Sequence, residues 1–70
     1  MKYCEAAKKL ISLVCRELPR SGDGSHRKWL NPGTGNTTVV PDWGGDDLKL
    51  ATVRAAVRQL GLSWDDFGKA

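Results

Sequence analysis

The sequence predicts a small α+β domain, a two-layer sandwich in which helices cover one face of a small antiparallel sheet. Three observations predict it. Apolar residues recur every three or four positions over residues 2–18 and again over residues 50–60, as in amphipathic helices. Between them, residues 25–30 and 37–40 alternate or are β-branched, as in a hairpin. A chain of 70 residues forms one domain, 1–70, whose small core leaves any chemistry to a shallow surface.

The first helix is predicted over Lys2 to Leu18, because its apolar positions form two adjacent rows. These are Cys4, Ala7, Ile11, Val14 and Leu18, and Tyr3, Ala6, Leu10 and Leu13. Pro19 ends the helix, since a residue before proline is pushed out of the helical region. Cys4 and Cys15 would lie roughly 16 Å apart on it, beyond disulfide reach. Both are expected to be small buried residues.

A hairpin is predicted over residues 25–40, preceded by a turn or weak first strand over residues 20–24. Alternation places His26, Lys28 and Leu30 on one face of its first strand and Ser25, Arg27 and Trp29 on the other. Residues 31–36 are turn formers, and residues 37–40 return as the second strand, closed by Pro41. Trp29 is therefore expected in the core, while the face that carries His26 stays open to solvent.

An acidic loop follows, and Asp42, Asp46 and Asp47 are interpreted as loop solvation and as charge near a helix N-terminus. In this loop, Trp43 is expected either to cover the core or to stack on a base.

The second helix is predicted to bury Leu50, Val53, Ala56, Val57 and Leu60. Gly61 then caps it, and Arg54 and Arg58 share its exposed face. Last, Ser63 is expected to start a short helical turn. Trp64 and Phe67 pack from this turn onto the domain.

The charge balance favours an anionic partner such as nucleic acid. Eleven Lys and Arg against eight Asp and Glu give a net charge of +3, a mild basic excess. Charged residues interrupt the N-terminal apolar positions, and no run approaches the roughly 20 apolar residues of a membrane span. Two cysteines and one histidine offer no metal-site spacing. We therefore expect no metal, no cofactor, no membrane partner and a cytoplasmic setting.

Gly24–Leu30 is the segment in which the residue types point to chemistry. It contains the protein's single histidine, His26, followed by Arg27 and Lys28. Histidine exchanges a proton near neutral pH, and arginine and lysine bind phosphate. Cleavage of an RNA backbone needs this combination, because the 2′-hydroxyl attacks the adjacent phosphate once its proton is removed. The same residues also fit a plain edge strand whose charges prevent aggregation.

The chain resembles the HicA-type toxins, the YcfA-like family of small messenger-RNA interferases. The matching stretches are, in order, Gly24-Ser25-His26 followed by Lys28-Trp29, Asn31-Pro32, Thr38-Val39-Val40-Pro41, Asp47-Leu48-Lys49, Thr52-Val53-Arg54, Arg58-Gln59-Leu60-Gly61-Leu62-Ser63 and Asp66-Phe67. Together they span roughly residues 20–67, and the first predicted helix agrees in position and length.

This resemblance implies an α-β-β-β-α fold similar to double-stranded-RNA-binding domains. It also implies metal-independent cleavage of mRNA that depends on the histidine of Gly-Ser-His, here His26, and neutralisation by a HicB-type antitoxin that covers it. The chain departs from the family pattern in two places. Trp43 lies in the region where members often carry a second histidine, and Arg27 stands where many have a histidine directly after the first.

The sequence thus predicts His26 as the proton-transfer residue of an endoribonuclease. Predicted RNA contacts are Gly24, Ser25, Arg27, Lys28, Arg54 and Arg58. Water, Lys28 or the same histidine would protonate the leaving oxygen. Two alternatives stay open. One is a non-catalytic RNA-binding module that uses the same sheet face together with Arg54 and Arg58, and the other is a protein-interaction subunit whose sheet edge pairs with a partner strand. The RNA sequence preference and the oligomeric state are left undetermined.

Overall fold

The computed structural model describes residues 1–19 and 25–70. Within them the order is a helix, three antiparallel strands and two helices, so the predicted α+β fold is confirmed. The elements are α1 (Tyr3–Ser12), β1 (Arg16–Glu17), β2 (His26–Asn31), β3 (Asn36–Pro41), α2 (Leu50–Gln59) and α3 (Trp64–Lys69). The three strands form one sheet in the order β1-β2-β3.

The first helix ends six residues earlier than its apolar pattern predicts. The backbone N–H of Val14 donates to the carbonyl of Ile11, and that of Cys15 donates to the carbonyl of Leu10. Val14 has a φ of 61°, so these bonds form a left-handed C-terminal cap of the kind that usually uses glycine. Cys15 and Leu10 are both buried and belong to the same hydrophobic core. The prediction of a helix to Leu18 is therefore wrong.

The second helix ends with the same type of cap, and here a glycine in the sequence predicts it. Gly61 has a φ of 74°, its N–H donates to the carbonyl of Arg58, and the N–H of Leu62 donates to the carbonyl of Val57. Leu62 packs against the core. The predicted glycine cap is confirmed.

The first strand is a short edge strand that begins just after the α1 cap. Arg16 pairs with Leu30 and Glu17 with Trp29 in antiparallel register. The prediction of a weak first strand or turn over residues 20–24 falls outside the described residues. The strand found here comes instead from residues that the sequence assigned to the helix.

The hairpin is formed as predicted. His26 pairs with Pro41, and the register continues to Asn31 opposite Asn36. Both the side chain of Asn31 and the hydroxyl of Thr34 donate to the carbonyl of Leu60, at 2.7 Å and 3.2 Å. The hairpin turn thereby supplies partners to the carbonyl end of α2, which fixes the helix against the sheet.

The helices cover one face of the sheet and bury the core between the layers. Trp29, Phe67 and Leu60 are the largest fully buried side chains, so the expected core position of Trp29 is confirmed. On the same face, the Thr38 hydroxyl donates to the side chain of Gln59 at 2.6 Å. The core comprises Tyr3, Ala6, Leu10, Cys15, Trp29, Val40, Leu48, Val53, Ala56, Val57, Leu60 and Phe67.

Four residues expected on buried faces are exposed, namely Cys4, Ile11, Val14 and Leu50. Leu50 is the first residue of α2 and is 61% exposed, because the helix buries only the residues that follow it, from Val53 onward. Cys4 is exposed, whereas Cys15 is buried, and burial raises the pKa of the Cys15 thiol.

The short helix α3 begins as predicted at Ser63, whose side chain accepts a hydrogen bond from the N–H of Asp66. Its C-terminal carbonyls face α1: the Lys9 ammonium donates to the carbonyls of Phe67, Gly68 and Ala70. A cation at the carbonyl end of a helix is stabilising. In the described part of the chain, no helix is long and apolar enough to cross a membrane.

Replacing Val14 with glycine is expected to stabilise the protein by about 1 kcal/mol, because a β-branched residue with positive φ is strained and glycine is not. Val14 is 79% exposed, so little packing is lost. The reciprocal change Gly61→Val should destabilise by more than about 1 kcal/mol, since a side chain there would also come within 3.1 Å of Thr34. Urea unfolding of both variants measures the two signs. Destabilisation by Val14→Gly would show that the valine side chain contributes more than its backbone strain costs.

Candidate active site on the open sheet face

The sheet face that the helices leave uncovered carries the predicted catalytic residue. Residues paired across the strands lie on the same side of the sheet. His26 with Pro41, Lys28 with Val39, and Leu30 with Thr37 and Arg16 therefore share one side. His26, Lys28 and Arg16 are exposed, and Val39 is 45% exposed. We call this surface the open face.

His26 is the first residue of β2, at one end of the open face. Directly before it, the carbonyl of Ser25 accepts a hydrogen bond from the N–H of Asp42, which extends the pairing of β2 and β3 beyond the histidine. Pairing with Pro41 and the hydrogen bond between Ser25 and Asp42 thus fix the backbone of His26. Lys28 lies two residues farther along the same face, roughly 7 Å away along the strand.

Arg27 points to the other side of the sheet, toward the helices. Its guanidinium donates to Glu17 at 2.8 Å and to Asp42 at 3.0 Å, and its side chain is only 23% exposed. It also lies 5.6 Å from the centre of the Tyr3 ring. Its Nε is buried without a hydrogen-bond partner. One guanidinium therefore links β1, β2 and the segment after β3.

Tyr3 extends this network into the core. Its hydroxyl donates to Glu17 at 3.1 Å and accepts from the indole N–H of Trp29, also at 3.1 Å. Burial, as the largest cause, raises the pKa of Tyr3 to about 12. The hydrogen bond to Glu17 likewise raises the pKa of the Arg27 guanidinium above its ordinary value. The charges of Glu17, Arg27 and Asp42 thus form a connected group beneath the open face.

Asp42 connects this group to the loop that carries Trp43. One of its oxygens accepts from Arg27, and the other accepts from the N–H of Gly44. The interpretation of Asp42 as loop solvation is therefore wrong, because its side chain is an ion-pair partner that is 24% exposed. Trp43 is exposed, so its ring is available at the edge of the domain. Its predicted roles, lid or stacking surface, stay predictions.

The structure divides the predicted site residues among different surfaces. His26 and Lys28 lie together on the open face, and Ser25 precedes them as an exposed residue. Arg27 lies on the opposite side of the sheet, and Gly24 lies outside the described residues. Arg54 and Arg58 are exposed on α2, which packs on the covered side of the sheet.

Sequence reasoning missed three residues of this region. Arg16 joins the open face, and Glu17 and Tyr3 hold Arg27. Apolar spacing extended the predicted first helix to Leu18, so Arg16 and Glu17 were assigned to that helix. Tyr3 lies in an apolar row of the same helix, and this pattern does not predict a role for its hydroxyl.

The open face can position and neutralise a phosphate diester. His26, whose imidazole can accept a proton, and Lys28, which carries a cation, lie two residues apart on the same partly apolar face. Among residues 1–19 and 25–70, no carboxylate lies within ion-pair distance of Lys28. Nor does this part of the chain bring together three or more metal-ligating side chains. These residue types are suited to proton transfer beside a positive charge.

A family model of the HicA toxins of bacterial toxin-antitoxin systems matches residues 5–62. The chain belongs to the HicA toxin family. The match covers most of α1, the whole sheet and α2, and it includes His26 and Lys28. Comparisons with curated proteins and with solved structures gave no match. Family membership thus assigns the chain to the toxins of toxin-antitoxin pairs.

Arg27→Lys is expected to lower the melting temperature by several degrees. An ammonium cannot reproduce the planar fork that meets two carboxylates on different segments. Lys28→Arg, one residue away on the open face, should leave the melting temperature nearly unchanged and serves as the matched control. Thermal unfolding by circular dichroism measures both. Equal effects of the two substitutions would show that the ion pairs of Arg27 contribute nothing particular to stability.

Alkaline pH should destabilise the protein through Tyr3. Between its ordinary pKa of 10.0 and its folded value of about 12, the unfolded chain loses the tyrosine proton while the folded chain keeps it. The free energy of unfolding should therefore fall, by about 1–2 kcal/mol, as the pH rises through this range.

Tyr3→Phe removes this contribution. The free energy of unfolding of the variant should therefore fall less steeply than that of the wild type over the same pH range. Urea unfolding at several pH values tests this, with lysine titration common to both proteins. Parallel curves would show that the phenol does not lose its proton differently in the two states.

Proposed function

We propose that this protein is a metal-independent endoribonuclease, an mRNA interferase acting as the toxin of a toxin-antitoxin pair, with His26 as its proton-transfer residue. The observation that carries the proposal is the exposed imidazole of His26 beside the Lys28 ammonium on the open face. Membership of a toxin family and the positive net charge of the domain both support RNA as the substrate. An mRNA target places the protein in the cytoplasm.

The proposed reaction is attack of a ribose 2′-hydroxyl on the adjacent phosphorus. The neutral imidazole of His26 accepts the hydroxyl proton as the new bond from the 2′-oxygen to phosphorus forms. The bond from phosphorus to the 5′-oxygen then breaks, and the leaving oxygen takes a proton from water, from Lys28 or from the imidazolium of His26. The products are a 2′,3′-cyclic phosphate and a free 5′-hydroxyl. This route needs only groups that the chain and water supply.

Lys28 is the cation best placed to neutralise the phosphorane. It shares the open face with His26, and in the described residues no carboxylate pairs with it. We assign Arg27 a positioning role, because its guanidinium already binds Glu17 and Asp42 on the other side of the sheet. Ser25 and Gly24, which directly precede His26, are proposed to let the RNA backbone approach the strand closely.

The open face is also the proposed binding surface of a HicB-type antitoxin. The family belongs to toxin-antitoxin systems, and a protein that covers His26 would block access of RNA. Exposed Val39 and half-buried Leu30 lie on the same face. Apolar side chains of this kind can pack against a protein partner.

Cleavage of single-stranded RNA in the presence of a metal chelator tests the proposal. His26→Ala should lower the cleavage rate at least about 100-fold, which is the lower end of what a general base contributes. Lys28→Gln should lower it about 10-fold or more, since a cation that stabilises the transition state is removed. RNA methylated at every 2′-oxygen should not be cleaved, because its nucleophile is blocked.

Lys8→Gln is the matched control. It removes one positive charge from the exposed side of α1, so it should cleave like the wild type when purified in parallel. Equal cleavage by wild type and His26→Ala would exclude a catalytic role for His26. RNA binding without cleavage by the wild type would favour the non-catalytic RNA-binding module instead.

A further inference from the structure

A second basic surface lies on the helical side of the molecule. The outer side of α2 and the start of α3 enclose a shallow concavity of about 470 Å³. Arg54, Arg58 and Trp64 line it together with Ala51, Ala55, Val57 and Leu62. We call this concavity the α2 groove.

The α2 groove and the open face point in opposite directions. Val53, Ala56 and Val57 are the buried residues of α2, and a hydrogen bond joins Gln59 of this helix to Thr38 of β3. Exposed Arg54 and Arg58 therefore face away from the sheet, whereas His26 projects from its uncovered side. The two surfaces are separated by the two layers of the molecule.

Arg54 is held in an orientation suited to binding phosphate. Its guanidinium lies 5.3 Å from the centre of the Trp64 ring, and Trp64 in turn stacks on buried Phe67 at 5.5 Å. A guanidinium that lies over an aromatic ring keeps the N–H donors at its edge free. The ring thus supports Arg54 from the core without using the donors that an anion would need.

Arg58 lies one helical turn from Arg54, so the two positions are about 5–6 Å apart at their Cβ atoms. In residues 1–19 and 25–70, no carboxylate lies within ion-pair distance of either guanidinium. The small residues Ala51 and Ala55 line the groove beside the two cations. Because the Arg54 guanidinium already lies over the Trp64 ring, a base that stacked on this ring would have to displace it. This favours contacts with a sugar-phosphate backbone over contacts with bases.

We propose that the α2 groove is a second RNA-binding site, which holds the phosphate backbone of a strand away from the point of cleavage. The inference rests on the proposed function only in taking RNA as the ligand. The smallest extent of the fold is 18 Å, so one short strand cannot lie on the open face and in the groove together. A long strand can pass around the edge and engage both. The groove would therefore add affinity for long RNA through multivalency.

The first test measures binding of RNA about 30 nucleotides long, methylated at every 2′-oxygen so that attack by this group is blocked. The double variant Arg54→Gln, Arg58→Gln should bind about 10-fold more weakly than the wild type. Its slope of log affinity against log salt should be smaller by about 1.4, the value for two phosphate contacts on a single strand. The variant Arg54→Lys, Arg58→Lys should retain most of the slope.

The matched control is Lys2→Gln, Lys8→Gln, which removes the same charge from exposed positions at α1. It should change the affinity less than twofold. If the control weakens binding as much as the arginine variant, the effect is general electrostatics and the groove is not a site. Loss of the native circular dichroism spectrum is not expected for either double variant, since all four residues are exposed.

The second test resolves the two surfaces by NMR, with the same RNA shortened to about six nucleotides. Amide signals of residues 51–64 and of residues 26–30 should shift with different saturation curves. In the arginine variant the first set should stop responding while the second set is unchanged. Absence of shifts in residues 51–64, or loss of both sets together, would overturn the proposal. Displacement of RNA from residues 51–64 by an equal charge of polyglutamate would also overturn it, and would indicate an acidic protein partner.

The outcome for the groove can be separated from that for the proposed function. If His26→Ala cleaves RNA as well as the wild type does, the catalytic proposal fails. The two binding tests do not depend on cleavage, so they still decide whether the groove binds RNA.

Discussion

The guanidinium of Arg27 joins segments of the chain that are far apart in sequence. It binds Glu17 on β1 and Asp42 after β3, and it lies over the ring of Tyr3 on α1. A charge that is largely removed from water is stable only when it is paired. The edge strand β1 has just two residues and therefore few backbone bonds to the sheet. The side-chain links through Glu17 and Tyr3 help to explain how so short a strand is fixed beside β2.

Successive side chains of β2 point to opposite faces of the sheet, which separates the charge of Arg27 from the exposed charge of Lys28. Arg27 and Trp29 face the helices, so His26 and Lys28 must face solvent. A one-residue shift in register would exchange these roles, burying the imidazole and exposing the indole. Burial of Trp29 and its hydrogen bond to Tyr3 oppose such a shift. The core thus specifies which side chains of β2 face solvent.

The environment of Arg27 bears on one departure of this chain from the family pattern. Related toxins often carry a second histidine directly after the first, whereas this chain has Arg27. Because the position points toward the helices, a histidine there would not stand beside His26 on the open face. The arginine fills the space with a side chain long enough to reach two carboxylates. The chain therefore offers one imidazole on the open face, and Lys28 is its nearest cation on that strand.

The sequence by itself determined the elements whose local signals agree with their packing. The hairpin, the second helix with its Gly61 cap and the solvent-facing side of β2 all follow from spacing and turn residues. Tertiary structure decided the end of the first helix, because the cap there uses Val14 and no glycine marks the stop. It also decided the partners of Arg27, since Glu17, Asp42 and Tyr3 come together only through folding. Local patterns record which face of an element is apolar, whereas pairings between distant side chains depend on how the layers meet.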